Sequence, residues 1–170
     1  MTCLHLACSI DAPVDIVKSL IEIGGKELVM MTTARNSTAL NYACYGCASF
    51  NVFNMLIDVG GKDLVLANNN CLYVDTALHI LCHHIHDCDN AANKIKLLCD
   101  NVASKIKLLL HVPGRDNKGK TPLDIATIHG ASDEIKALLE PHTINSEPQI
   151  ADSHFSNSVP DDLKNVERIN

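Results

Sequence analysis

The residues best equipped for chemistry stand in one run, Cys82-His83-His84-Ile85-His86-Asp87-Cys88, where thiols, imidazoles and a carboxylate crowd together. Zinc takes Cys and His in a tetrahedral array, which makes His84, His86 and Cys88 a candidate metal set. The dense spacing differs from the paired ligands of zinc knuckles. Cys44-Tyr45-Gly46-Cys47 has the two-residue spacing of redox and zinc motifs, but no second C-x-x-C exists to complete a four-thiolate site. Cys8, Cys44 and Cys82 each follow a threonine by six positions. A cysteine that recurs with a repeat is read as a small, buried core residue. No metal is therefore expected, with His84, His86 and Cys88 as the alternative.

Catalysis has less to stand on. Nine histidines supply Ser-His-Asp and Cys-His combinations, yet none sits in a glycine-rich nucleophile turn. Gly24-Gly25-Lys26 and Gly60-Gly61-Lys62 follow helical patterns and precede segments read as extended. A phosphate loop needs strand first and helix second, so both are read as helix stops. No catalytic residue, no cofactor and no enzymatic activity are expected.

Composition narrows the partners. A formal charge of −6 argues against a general nucleic-acid binder, which normally shows a basic face. No stretch approaches the roughly 18 apolar residues that a membrane-spanning helix needs. The N-terminus shows no secretory pattern, and eight cysteines without a sign of export suggest free thiols. An intracellular, cytoplasmic protein is expected. Apolar residues make up 46 %, without Trp and with three Phe and three Tyr, so the core must come from Leu, Ile, Val, Ala and Cys.

The elements that position these residues repeat. Thr2-Cys3-Leu4-His5-Leu6-Ala7-Cys8 and Thr76-Ala77-Leu78-His79-Ile80-Leu81-Cys82 are one phrase; the segments from Thr38 and Thr121 are looser copies, the four threonines lying 36, 38 and 45 residues apart. The stretch 52–65 matches 16–29 position by position, helix pattern, glycine pair and following loop together. A period in the thirties marks a stacked repeat. Each unit reads as two helices, with apolar positions 4, 6 and 7, then 16, 17, 20 and 21, turned inward. Pro13 suits a helix start, and Asn36 tolerates positive φ. Ser132 caps the last helix. Lys-Ile-Lys-Leu-Leu occurs at 94–98 and again at 105–109, which predicts one long helix over about 91–110.

The phrase resembles the T-P-L-H-x-A signature of the ankyrin repeat, over roughly residues 1–140. The resemblance implies an all-α solenoid of four helix-turn-helix units at about 1–35, 36–73, 74–116 and 117–140, the first truncated. Residues 141–170 are expected to form a polar, disordered tail. It implies that Thr2/His5, Thr38, Thr76/His79 and Thr121 tie helix entrances and loops by hydrogen bonds, with Asn41 and Asp124 in the histidine's place. It also implies a non-catalytic scaffold or adaptor that binds another protein through loop tips and a concave face. That surface would include Lys26, Glu27, Arg35, Tyr45, Lys62, Asp63, Tyr73, Arg115 and Lys118. The alternatives are a metal- or redox-responsive module built on 82–88, and a fragment of a larger ankyrin-containing protein.

Overall fold

The computed structural model describes residues 1–67, 76–101 and 119–140. Among them lie eight helices and no strand: α1 Cys3–Ser9, α2 Val14–Met30, α3 Ala39–Tyr45, α4 Phe50–Val65, α5 Ala77–His83, α6 Ala91–Asn101, α7 Pro122–Ile128 and α8 Asp133–Leu139. The fold is all-α. The second Lys-Ile-Lys-Leu-Leu copy, with Val102, Ile106, Leu109 and Leu110, lies outside the described residues, as does the 141–170 segment.

Four short helices begin in the same way. Thr2, Thr38, Thr76 and Thr121 are extended N-caps, and each forms a reciprocal capping box with the residue three positions on. Thr38 donates its backbone N–H and its hydroxyl to Asn41 Oδ1 at 2.9 and 2.8 Å, and Thr121 does the same with Asp124 Oδ2 at 2.8 Å each. Asn and Asp therefore stand in for His within the capping box itself. Three of these short helices, α1, α3 and α7, also end alike. Asp11, Cys47 and Gly130 take positive φ, and the next alanine donates its N–H five residues back, Ala12 to Ala7, Ala48 to Ala43 and Ala131 to Ala126, at 2.9 Å each.

Neighbouring elements touch in a ladder. The short helices α1, α3, α5 and α7 contact one another in succession, as do α2, α4, α6 and α8, and each short helix contacts the one that follows it. The core runs between the rows. Leu4, Leu40 and Leu78 are fully buried at one repeating position, and Cys8, Cys44 and Cys82 at another. The Cys44 thiol donates to Ala77 O at 3.3 Å, so this packing residue also reaches the next pair. His5 Nε2 donates to Ser37 O at 3.1 Å, and Asp11 Oδ1 accepts from Ser49 N at 2.9 Å. Gly46 permits the closest approach: a Cβ there would stand 2.4 Å from Ser9 O.

Two expectations need correction. Leu6 and Ile16 are read as inward-facing, but they are 50 % and 51 % exposed, whereas Val52, the repeat partner of Ile16, is 1 % exposed. The second helix pair packs between two neighbours, the first against one. Pro13 does stand at the start of α2, as its N-cap. The glycine pairs do not open an extended segment. Gly24 and Gly60 are helical, Gly25 (φ 55, ψ −157) and Gly61 (φ 63, ψ −159) kink the helix, and a further helical stretch follows to Met30 and Val65. That stretch folds Leu28 and Leu64 back onto the chain, so close that a Cβ on Gly24 or Gly60 would meet them at 2.4 and 2.5 Å.

The kink conformation belongs almost solely to glycine and costs other residues about 1–3 kcal/mol. Nothing lies within 4 Å of a Cβ at Gly61, so a substitution there is penalised by its backbone alone. Gly61→Ala is expected to lower the unfolding free energy by about 1–3 kcal/mol in urea titration. A change below about 0.3 kcal/mol would count against the kink.

Candidate functional site

The residues assigned to a binding edge divide into two places. Lys26 and Glu27 are exposed in the short helical stretch after Gly25, and Lys62 and Asp63 occupy the same place after Gly61. Since α2 packs on α4, the two charged pairs belong to adjacent helix ends. Arg35 is exposed in the turn before α3, which closes through Thr33 N to Ser37 O at 3.0 Å with Asn36 at φ 54. Tyr45 is exposed at the far end of α3, so it does not join Arg35 in one patch. Tyr73, Arg115 and Lys118 lie outside the described residues.

Tyr45 instead marks the junction between the second and third helix pairs. Its ring meets His84 edge-on, with centroids 6.0 Å apart. At the same junction Cys47, in the α3–α4 turn, is joined to Cys88, in the α5–α6 turn, as a disulfide with Cα atoms 4.9 Å apart. This corrects the expectation of free thiols throughout. The C-x-x-C spacing draws attention to Cys44 and Cys47 together, but the structure separates them. Cys44 points into the core, whereas the left-handed conformation of Cys47 (φ 51) turns it toward Cys88. No sequence signal shows this pairing, because it joins positions 41 residues apart.

Lys94 belongs to the same junction and contradicts its residue type. Its side chain is 1 % exposed, and Nζ has no hydrogen-bond partner among the described residues. The ammonium stands 5.7 Å from the centroid of Phe53, a cation–π contact. Burial pulls its pKa below the ordinary 10.5, opposed in part by Cys44, Asp11 and Asp89.

The histidine-rich run is dispersed among separate partners. His84 Nδ1 faces Asp87 Oδ2 at 3.6 Å, His86 Nε2 donates to the His129 carbonyl, and Cys88 is held by Cys47. The set His84, His86 and Cys88 does not converge. Among the described residues no group of three or more His, Cys, Asp or Glu side chains is placed to hold a metal ion. His83 Nδ1 and His129 Nε2 share a hydrogen bond of 3.1 Å, which needs one of the two rings neutral. Partial burial lowers the His129 pKa from its usual 6.5, helped by His83, His86, His84 and Lys120; burial also lowers that of His5. A histidine depressed in the folded state binds its proton more readily when unfolded. Both residues therefore make stability fall as pH drops through and below 6.5.

Neither a protein-family model nor a curated protein matches the chain. Among the described residues, no helix is long and apolar enough to cross a membrane.

Replacing the buried ammonium by a side chain of like length removes the desolvation cost while filling the same space. Lys94→Met is expected to raise the unfolding free energy at pH 7 by about 1–3 kcal/mol. Because the folded pKa lies below 10.5, the wild type should gain on the variant as pH rises toward that value. Urea titration at pH 7 and pH 10 checks both; a less stable variant would show that Lys94 holds a partner.

Proposed function

We propose that the chain is a solenoid of ankyrin-type repeats and acts as a non-catalytic scaffold that holds another protein. The observation that carries this reading is the ladder of contacts: short helices follow one another in one row and their partners in the other. Support also comes from the threonine capping box shared by α1, α3, α5 and α7. Stacking of this kind makes an extended surface whose loops are free of core duties. On this reading the gripping edge carries Lys26, Glu27, Arg35, Lys62 and Asp63, with mixed charge suited to a protein surface. Tyr45 adds an exposed aromatic ring of the kind enriched in interface cores. No nucleic acid is a partner on this reading.

The test is affinity capture from the native source with the full chain as bait. Lys26→Glu/Lys62→Glu is the edge variant, Tyr45→Ala probes the separate ring at the end of α3, and Lys18→Glu at an exposed position of α2 is the control. A partner retained by wild type and control, and weakened at least tenfold by the edge variant or by Tyr45→Ala with the wild-type circular dichroism kept, is expected. Equal retention by all variants would place binding elsewhere and remove the edge from this reading.

A further inference from the structure

We propose that Cys47 and Cys88 form a reversible thiol-oxidation site, a redox clip that couples the second helix pair to the third. The proposal does not depend on the ankyrin reading, since it rests on the junction alone. The two residues sit on successive turns, α3–α4 and α5–α6, with Cα atoms 4.9 Å apart, inside the range that a disulfide spans without moving the backbone. The Cys44 carbonyl oxygen lies 3.9 Å from Cys47 Sγ and 3.8 Å from Cys88 Sγ, distances at which a thiol S–H donates. The same backbone thus accommodates the reduced pair as well as the oxidised one.

The two sulfurs differ in access, and that difference orders the steps. Cys47 is partly exposed, whereas Cys88 is buried at 6 %. The Cys47 thiolate attacks one sulfur of a low-molecular-weight disulfide such as oxidised glutathione. The glutathione S–S bond breaks and one glutathione thiol departs, leaving a mixed disulfide at Cys47. Cys88 then gives up its proton to solvent and attacks Cys47 Sγ, expelling the second glutathione. Two protein thiols have lost two electrons and two protons, and one small disulfide has become two thiols. Reduction runs backwards, with a free thiol attacking Cys47 first.

The other described cysteines are poor competitors. Cys8, Cys44, Cys82 and Cys99 are buried as free thiols. Burial pushes Cys8 up to about 12 and Cys99 to about 11, and raises Cys44 and Cys82 as well. Since the thiolate is the nucleophile, such groups are inert at neutral pH. Cys3 is exposed but stands alone, so it can hold an adduct without resolving it into an internal bond.

The full-length wild-type chain, equilibrated anaerobically across a series of reduced-to-oxidised glutathione ratios, then acid-quenched and differentially alkylated, gives the state of each cysteine by peptide mass spectrometry. Cys47 and Cys88 are expected to change together in one two-electron transition, with no lasting adduct on either. With Cys88→Ser, glutathione should remain on Cys47. The reduced wild type should melt about 10 °C lower than the oxidised one, while the melting of Cys47→Ser/Cys88→Ser should not follow the glutathione ratio. A pair that stays reduced in oxidised glutathione, stays bonded in excess reduced glutathione, or ends as a wild-type glutathione adduct would overturn the proposal. The wild-type labelling decides this even if the variants fail to fold.

Discussion

A helix of seven residues does not hold itself together in water. The first helix of each pair, α1, α3, α5 and α7, has that length, well short of the roughly 12–15 residues at which isolated helices become marginal. Each exists because a threonine satisfies its first N–H groups and because it packs against its own partner helix and against the neighbouring pair. The order of the chain follows from that dependence. A sequence that must cap and bury the same two turns repeatedly will spell the same phrase repeatedly.

Neighbouring pairs are joined by more than apolar surface, and unevenly so. Between the first and second pairs His5 reaches Ser37 and Asp11 reaches Ser49. Between the second and third, the link is the Cys44 thiol on Ala77, the Cys47–Cys88 bond and the Tyr45–His84 contact. Between the third and fourth, histidines predominate, with His83 and His86 both meeting His129. One junction answers to thiol chemistry and another to protonation, although the helices on either side are built alike. Asn41 shows the local price of departing from the phrase: its Oδ1 completes the capping box, but its Nδ2 has no partner among the described residues.

Much of the fold is legible in the phrase. The capping threonines, the buried Cys8, Cys44 and Cys82, the positive φ of Asn36 and the Ser132 cap, which accepts from Ile135 N at 3.4 Å, all follow from residue type and spacing. What escapes depends on neighbours. Ile16 and Val52 are equivalent in periodicity and differ in exposure because their surroundings differ. Lys94 carries a charge that predicts solvent, yet the helix register buries it beneath Phe53. The Cys47–Cys88 bond is invisible for a third reason. Its partners meet only when two turns from different pairs are brought side by side, and the C-x-x-C spacing points to Cys44 instead.

Successive helix pairs share one core and so are stabilised jointly. Native-state hydrogen exchange on the full chain, with and without Leu40→Ala in α3, tests it most directly. Leu40 is fully buried, and removing its side chain is expected to cost about 2–5 kcal/mol. On this account, protection falls in α1 and α5 together with α3, because neither flank keeps its neighbour. Lost protection confined to α3, with α1 and α5 exchanging as in the wild type, would contradict it.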